Sequence, residues 1–211
     1  MKEEEIQDEL VSIRKLMERS SKFISLSGLS GILAGVYALI GAGVAYIVIN
    51  ENNTSTYRGV IGFFKALLKF EATIIYLLLI ALIVLLASIT TGILLSIRKA
   101  KKNGQPIWGK TSQAMLFHLA TPLITGGILI LIFISRGYFG IIAPSMLVFY
   151  GLALISAGNF TFNYIKYLGI CEIILGLIAA CLPGYGLLLW AIGFGLLHII
   201  YGSMVYFKYD R

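Results

Sequence analysis

The chain has 211 residues, 58% of them hydrophobic and 13% charged, with a mean hydropathy of +0.89. That is more apolar surface than a soluble single domain of this size needs. A net charge of +7 would suggest nucleic acid in a soluble protein, but here the bases cluster at the ends of uncharged stretches. Neither nucleic acid nor a nucleotide is therefore expected as a partner.

Charge-free windows run from Phe23 to Asn50, Ala72 to Ile97 and Thr111 to Ser135, and the uncharged stretches Gly137–Ile165 and Ile173–Phe207 follow. A hydrocarbon core of about 30 Å needs about 20 apolar residues in a helix. The pattern predicts an all-α membrane protein with six transmembrane helices in three antiparallel hairpins. The spans are expected at about residues 23–49, 72–97, 112–134, 141–158, 164–182 and 187–207. Together they make a transmembrane domain over 23–207, flanked by a cytoplasmic helix over 1–22 and a tail at 208–211. With both termini inside, only Arg58, Lys65, Lys69 and Arg136 of the 17 basic residues lie outside. The positive-inside rule favours that orientation, in a bacterial cytoplasmic membrane.

Residues 3–22 open on Glu3, Glu4 and Glu5 and place Ile6, Leu10, Ile13 and Met17 at alternating spacings of four and three. The acids exclude a secretory signal. The spacing reads as an amphipathic helix on the membrane or packed on its own bundle, or as a short coiled coil, the last making a homo-oligomer. In span one, Gly28, Gly31 and Gly35 form a small-residue stripe of the kind that lets helix backbones approach in lipid. Arg58, Lys65 and Lys69 then recur at helical spacing, as an interfacial helix or an extension of span two. The basic loop after span two, with Arg98, Lys99, Lys101, Lys102 and Lys110, should contact anionic headgroups at roughly 1 kcal/mol per residue.

The same loop contains a literal phosphate-loop string from Gly104 to Lys110-Thr111. Such a loop must follow a strand and open a helix, with an acid elsewhere for magnesium. This one joins two membrane spans, and the only aspartates are Asp8 and Asp210. Cys171 and Cys181 lie ten residues apart on one helix, about 15 Å, too far for a disulfide. Gly28, Ile32, Gly35 and Ala38 are echoed by Gly169, Ile173, Gly176 and Ala179, which is either a parallel repeat or the ordinary composition of membrane helices.

The polar signal is in the last hairpin. Glu172 is the one acid deep within a span, and His198 is one of two histidines. Counted from the Pro183-Gly184-Tyr185-Gly186 turn, the two reach nearly equal depth. Stripes of Gly169 and Gly176 on one helix and Gly195 and Gly202 on the other are expected to face each other, bringing carboxylate to imidazole. Counted from the cytoplasmic bases, His118 lies about 12 Å in, against about 9 and 15 Å for Glu172 and His198. Pro122 cannot donate to the His118 carbonyl, which leaves a loose acceptor at that level. Glu172, His198 and His118 thus form a candidate intramembrane site. It reads as a hydrogen bond fixing register, a proton relay or ligand site, or a metal or haem ligand set. No cofactor or metal is expected.

The stretches from Phe23-Ile-Ser-Leu-Ser-Gly to Gly43 and from Leu182-Pro-Gly-Tyr-Gly through His198-Ile-Ile-Tyr-Gly202 resemble uncharacterised bacterial six-span inner-membrane proteins. That resemblance implies the fold and lends no activity. Some similar sequences carry a carotene-oxygenase label, which would imply several iron-binding histidines where this chain has His118 and His198. The sequence is read as a non-enzymatic membrane scaffold or regulatory partner. The alternatives are a small-solute or proton-coupled transporter using Glu172, His198 and His118, and a haem- or metal-binding membrane protein.

Overall fold

The structure, a computed structural model, describes residues 27–53, 59–104, 108–161 and 163–210, with side chains outside 51–71 and 209–210. The amphipathic helix expected over 1–22 lies outside the described residues, as does Arg58. Every regular element among the described residues is helical. In chain order these are α1 (Gly28–Asn53), α2 (Gly59–Lys102), α3 (Lys110–Ser135), a 3-10 turn (Phe139–Ile141), α4 (Ile142–Ala157) and α5 (Tyr164–Cys181). A last run follows without a break: α6 (Gly186–Trp190), a π segment (Ala191–Leu197), α7 (His198–Val205) and a second π segment (Tyr206–Asp210). Six helices are long and apolar enough to cross a membrane: Gly28–Asn50, Ala72–Lys102, Lys110–Ser135, Phe139–Ala157, Tyr164–Cys181 and Gly186–Lys208. This makes the chain a candidate multi-pass membrane protein. The last is called the sixth span below.

Lys65 and Lys69 lie on α2 itself, which runs unbroken for 44 residues. At 1.5 Å per residue that is about 66 Å, twice the hydrocarbon thickness. The phosphate-loop string joins the end of α2 to the start of α3, so helix stands where a nucleotide site needs a strand. At α3's start the Ser112 hydroxyl accepts from Gly109 N–H at 2.8 Å and donates to Gly109 O at 3.1 Å. The turn before the sixth span has Pro183 second and Gly184 third, with φ +92° at Gly184 and Tyr185 N–H donating to Leu182 O at 3.2 Å. Proline fixes the second position of a type II turn, and glycine supplies the positive φ of the third.

The helices pack in a row. α2 rests on α1, α1 on the sixth span, the sixth span on α5 and α4, and α3 on the outer side of α4. The most apolar stretch of α2 buries no residue, so among the described residues it is a flanking helix. Tyr37 of α1 and Thr91 of α2 meet hydroxyl to hydroxyl at 3.4 Å.

Two seams are set by glycine. A Cβ on Gly35 would stand 2.6 Å from Gly195 O, and one on Gly202 2.5 Å from Ile32 N. Gly28 lies against the backbone of Tyr206 and Gly202, and Gly31 against Gly202. Between α4 and α5, a Cβ on Gly151 would be 2.5 Å from Gly169 O, and one on Gly176 3.0 Å from Pro144 O. The stripes of the fifth and sixth spans therefore do not face each other as the sequence led us to expect. Gly169 and Gly176 face α4, while Gly195 and Gly202 face α1. Small residues permit a close approach without naming the partner helix, and one seam here joins chain neighbours, α4 and α5, while the other joins α1 to the distant sixth span.

Candidate functional site

α5 presents Glu172 inward between α4 and the sixth span, and its side chain is fully buried, at 0% exposure. What makes room for it is Gly193, where an added Cβ would sit 2.5 Å from Glu172 Oε2 and 2.6 Å from Leu147. Gly193 belongs to the first π segment. A π turn inserts a residue into the helix, disturbs the regular bonding and is frequent at functional sites.

The imidazole of His198, which opens α7, is also buried. Its Nδ1 lies 3.0 Å from Gly193 O and 3.4 Å from Glu172 Oε1. On the other side of the ring, Nε2 lies 2.8 Å from Tyr150 Oη on α4. A carbonyl can only accept, so Nδ1 carries hydrogen and donates to Gly193 O. In the neutral ring, Nε2 then accepts from the Tyr150 hydroxyl. Phe194 stacks on the imidazole at 5.9 Å between centroids, and Tyr150 packs on Phe194 at 4.9 Å.

Glu172 is left with little. Among the described residues, neither Oε1 nor Oε2 has a hydrogen-bond partner, and the imidazole at 3.4 Å is the one polar neighbour at ion-pair distance. A buried carboxyl without hydrogen bonds is rare and costly, which marks the position for a functional reading.

His118 does not join this pair. It is exposed on α3, stacked on Phe160 of the α4–α5 connection at 4.8 Å and edge-on to Phe117 at 5.8 Å. Standing beside that connection, it lies at the end of the bundle rather than in its middle. Eight residues into α3 the ring is still level with that connection, so counting from Lys110 overstates its depth. Helix counting also says nothing of rotation about the axis, and here rotation points the ring outward. The described residues contain no group of three or more His, Cys, Asp and Glu that could hold a metal. Cys171 and Cys181 are free and exposed.

The bases of the loop between α2 and α3 sit at the same end. Lys99, Lys101 and Lys102 form the last turn of α2, where cations suit the helix dipole. Arg98, Lys101, Lys102 and Lys110 are exposed and Lys99 is half-buried. Lys208 donates to Tyr164 Oη at 2.7 Å and lies 4.9 Å from the centre of that ring, tying the end of the sixth span to the start of α5.

Sequence reasoning missed Tyr150 and Gly193. Tyr150 carried a usable signal, since a hydroxyl near the middle of an apolar span needs a partner. Gly193 carried none, because nothing local announces a π turn. Gly193→Ala is expected to weaken the fold by about 2 kcal/mol, as overpacking against a buried side chain does. Adding Glu172→Ala should recover much of that loss, read as midpoints of thermal unfolding in detergent.

Compared with known proteins, the chain matches no family model, no curated protein and no solved structure. The resemblance noted in the sequence therefore assigns no family.

Proposed function

We propose that this chain is a non-enzymatic component of a bacterial cytoplasmic membrane, a scaffold or regulatory partner with both termini on the basic, cytoplasmic face. In this reading its spans form three antiparallel hairpins, and copies associate in the bilayer through the N-terminal seam and small-residue faces. The observation that carries it is the closure of the polar centre. Glu172 is covered by Gly193 and Leu147, His198 is held by Gly193 O and Tyr150, and both glycine seams bring backbone against backbone. Such a centre pins the register of α4, α5 and the sixth span, as buried polar groups do where they specify one arrangement. The exposed bases at one end suit anionic headgroups.

Transport is the second reading, and the hydrogen-bond-poor carboxylate favours it, because membrane carriers place such groups on proton paths. Sealed vesicles holding the purified chain and an internal pH dye separate the two. The scaffold reading expects a pH gradient to decay no faster than in empty vesicles. It also expects fluorescently labelled copies to transfer energy at dilutions where unrelated membrane proteins do not. Gradient decay that His198→Leu abolishes would put transport first.

A further inference from the structure

Two acceptors compete for one hydrogen at the centre of the bundle. His198 Nδ1 faces Gly193 O at 3.0 Å and Glu172 Oε1 at 3.4 Å, and an ionised carboxylate can only accept. Across the ring, Nε2 faces Tyr150 Oη at 2.8 Å, a group able to donate or accept. The carboxyl is fully buried and neither oxygen has a hydrogen-bond partner among the described residues. With the ring neutral and Glu172 a carboxylate, the cluster is one proton short of pairing its charges.

We propose that Glu172, His198 and Tyr150 form an intramembrane proton-binding site that takes up a single proton at His198 Nε2. Before uptake, Nδ1–H donates to Gly193 O, the Tyr150 hydroxyl donates to Nε2, and the cluster carries the single negative charge of Glu172. A proton from the aqueous phase adds to the Nε2 lone pair and forms an N–H bond. The Tyr150 hydroxyl turns and accepts from it. The imidazolium then shares its Nδ1–H between Gly193 O and Glu172 Oε1, and the cluster is neutral.

The packing suits a proton better than a metal ion. Gly193 lies so near that an added methyl would stand 2.5 Å from Glu172 Oε2. One carboxylate and one imidazole also fall short of the four donors of a structural zinc site. Among the described residues the surroundings supply no other charge. α1 has no charged residue from Gly28 to Asn50, and its Tyr37 reaches Thr91 on α2. On α5, Lys166 lies over Gly158 at the bundle end, Tyr164 holds Lys208, and Cys171 and Cys181 are exposed. Tyr150 on α4 and Tyr201 on the sixth span complete the titratable neighbours. Because Gly193 O is part of the π segment, uptake changes which acceptor the imidazole holds there. The proton thereby reaches the backbone of the sixth span.

This inference rests on the reading of the chain as a regulatory component, for which a proton is an input and not a cargo. The test is nitrogen NMR on the full chain in lipid vesicles, labelled at histidine, over about pH 5 to 8. His118→Asn removes the only other histidine signal. The expected result is one proton step at His198 Nε2 with Nδ1 protonated throughout. Glu172→Gln should lower the proton affinity of that step at least tenfold. Tyr150→Phe, which leaves carboxyl and imidazole in place, should also move the midpoint. A step unmoved by both variants, or no step while helix content is intact, would overturn the proposal. Proton flux through the vesicles would instead overturn the scaffold reading and leave the binding site standing.

Discussion

His198→Leu is expected to destabilise the protein by about 3 kcal/mol or more, whereas Glu172→Met costs little or stabilises. The asymmetry follows from the partners each group keeps. Without Glu172, the imidazole still donates to Gly193 O and still meets Tyr150 Oη. Without His198, a fully buried carboxyl loses its one polar neighbour, and the Gly193 carbonyl and Tyr150 hydroxyl lose theirs as well. An uncompensated carboxyl in a low-dielectric interior carries the larger penalty. The double variant should therefore be more stable than His198→Leu alone, with a coupling of about 1 to 3 kcal/mol. Reversible unfolding in mixed micelles measures all four corners of the cycle. Equal losses for the two single variants, adding without coupling, would show that carboxyl and imidazole do not depend on each other.

The six helices of membrane-crossing length were readable because a hydrocarbon core would demand one thing of every residue within it. Uninterrupted apolar length is visible without knowing what packs on what. Depth was readable for Glu172 and His198 for a related reason. Both were counted from one short turn, along helices of known rise per residue. Rotation was not readable. His118 had the right residue type, yet it stands at the bundle end and turns outward onto Phe160. The glycine stripes failed differently. Gly169 and Gly195 both mark tight seams, but a hydrogen in place of a side chain fits any close backbone. Facing Gly151 and Gly35 is a property of the assembled bundle, absent from either stripe. The π turn at Gly193 is less legible still, since the groups that lie against it, Glu172 and Leu147, come from other helices.

Alanine at Gly202 or Gly151 is expected to loosen the bundle by about 3 kcal/mol, the upper end of ordinary overpacking. Alanine at Gly43 or Gly127 should be neutral or mildly stabilising. The difference lies in what the new methyl meets. At Gly202 it would stand 2.5 Å from Ile32 N and 2.7 Å from Gly28 O, and at Gly151 2.5 Å from Gly169 O. These are backbone atoms and cannot rotate away, so the helices themselves must separate. At Gly43 and Gly127 nothing lies within 4 Å, and alanine gains about 1 kcal/mol of helix propensity over glycine. The two seams should also fail separately. Gly202→Ala frees α1 and the α2 that rests on it, whereas Gly151→Ala parts α4 from α5 and opens the floor beneath Glu172. Solvent exchange at His198 should rise sharply in the second variant and less in the first. Similar losses at all four glycines would mean that composition, and not these two backbone contacts, sets the close approach. Loss of helix packing without altered exchange at His198 in Gly151→Ala would separate the polar centre from the α4–α5 seam.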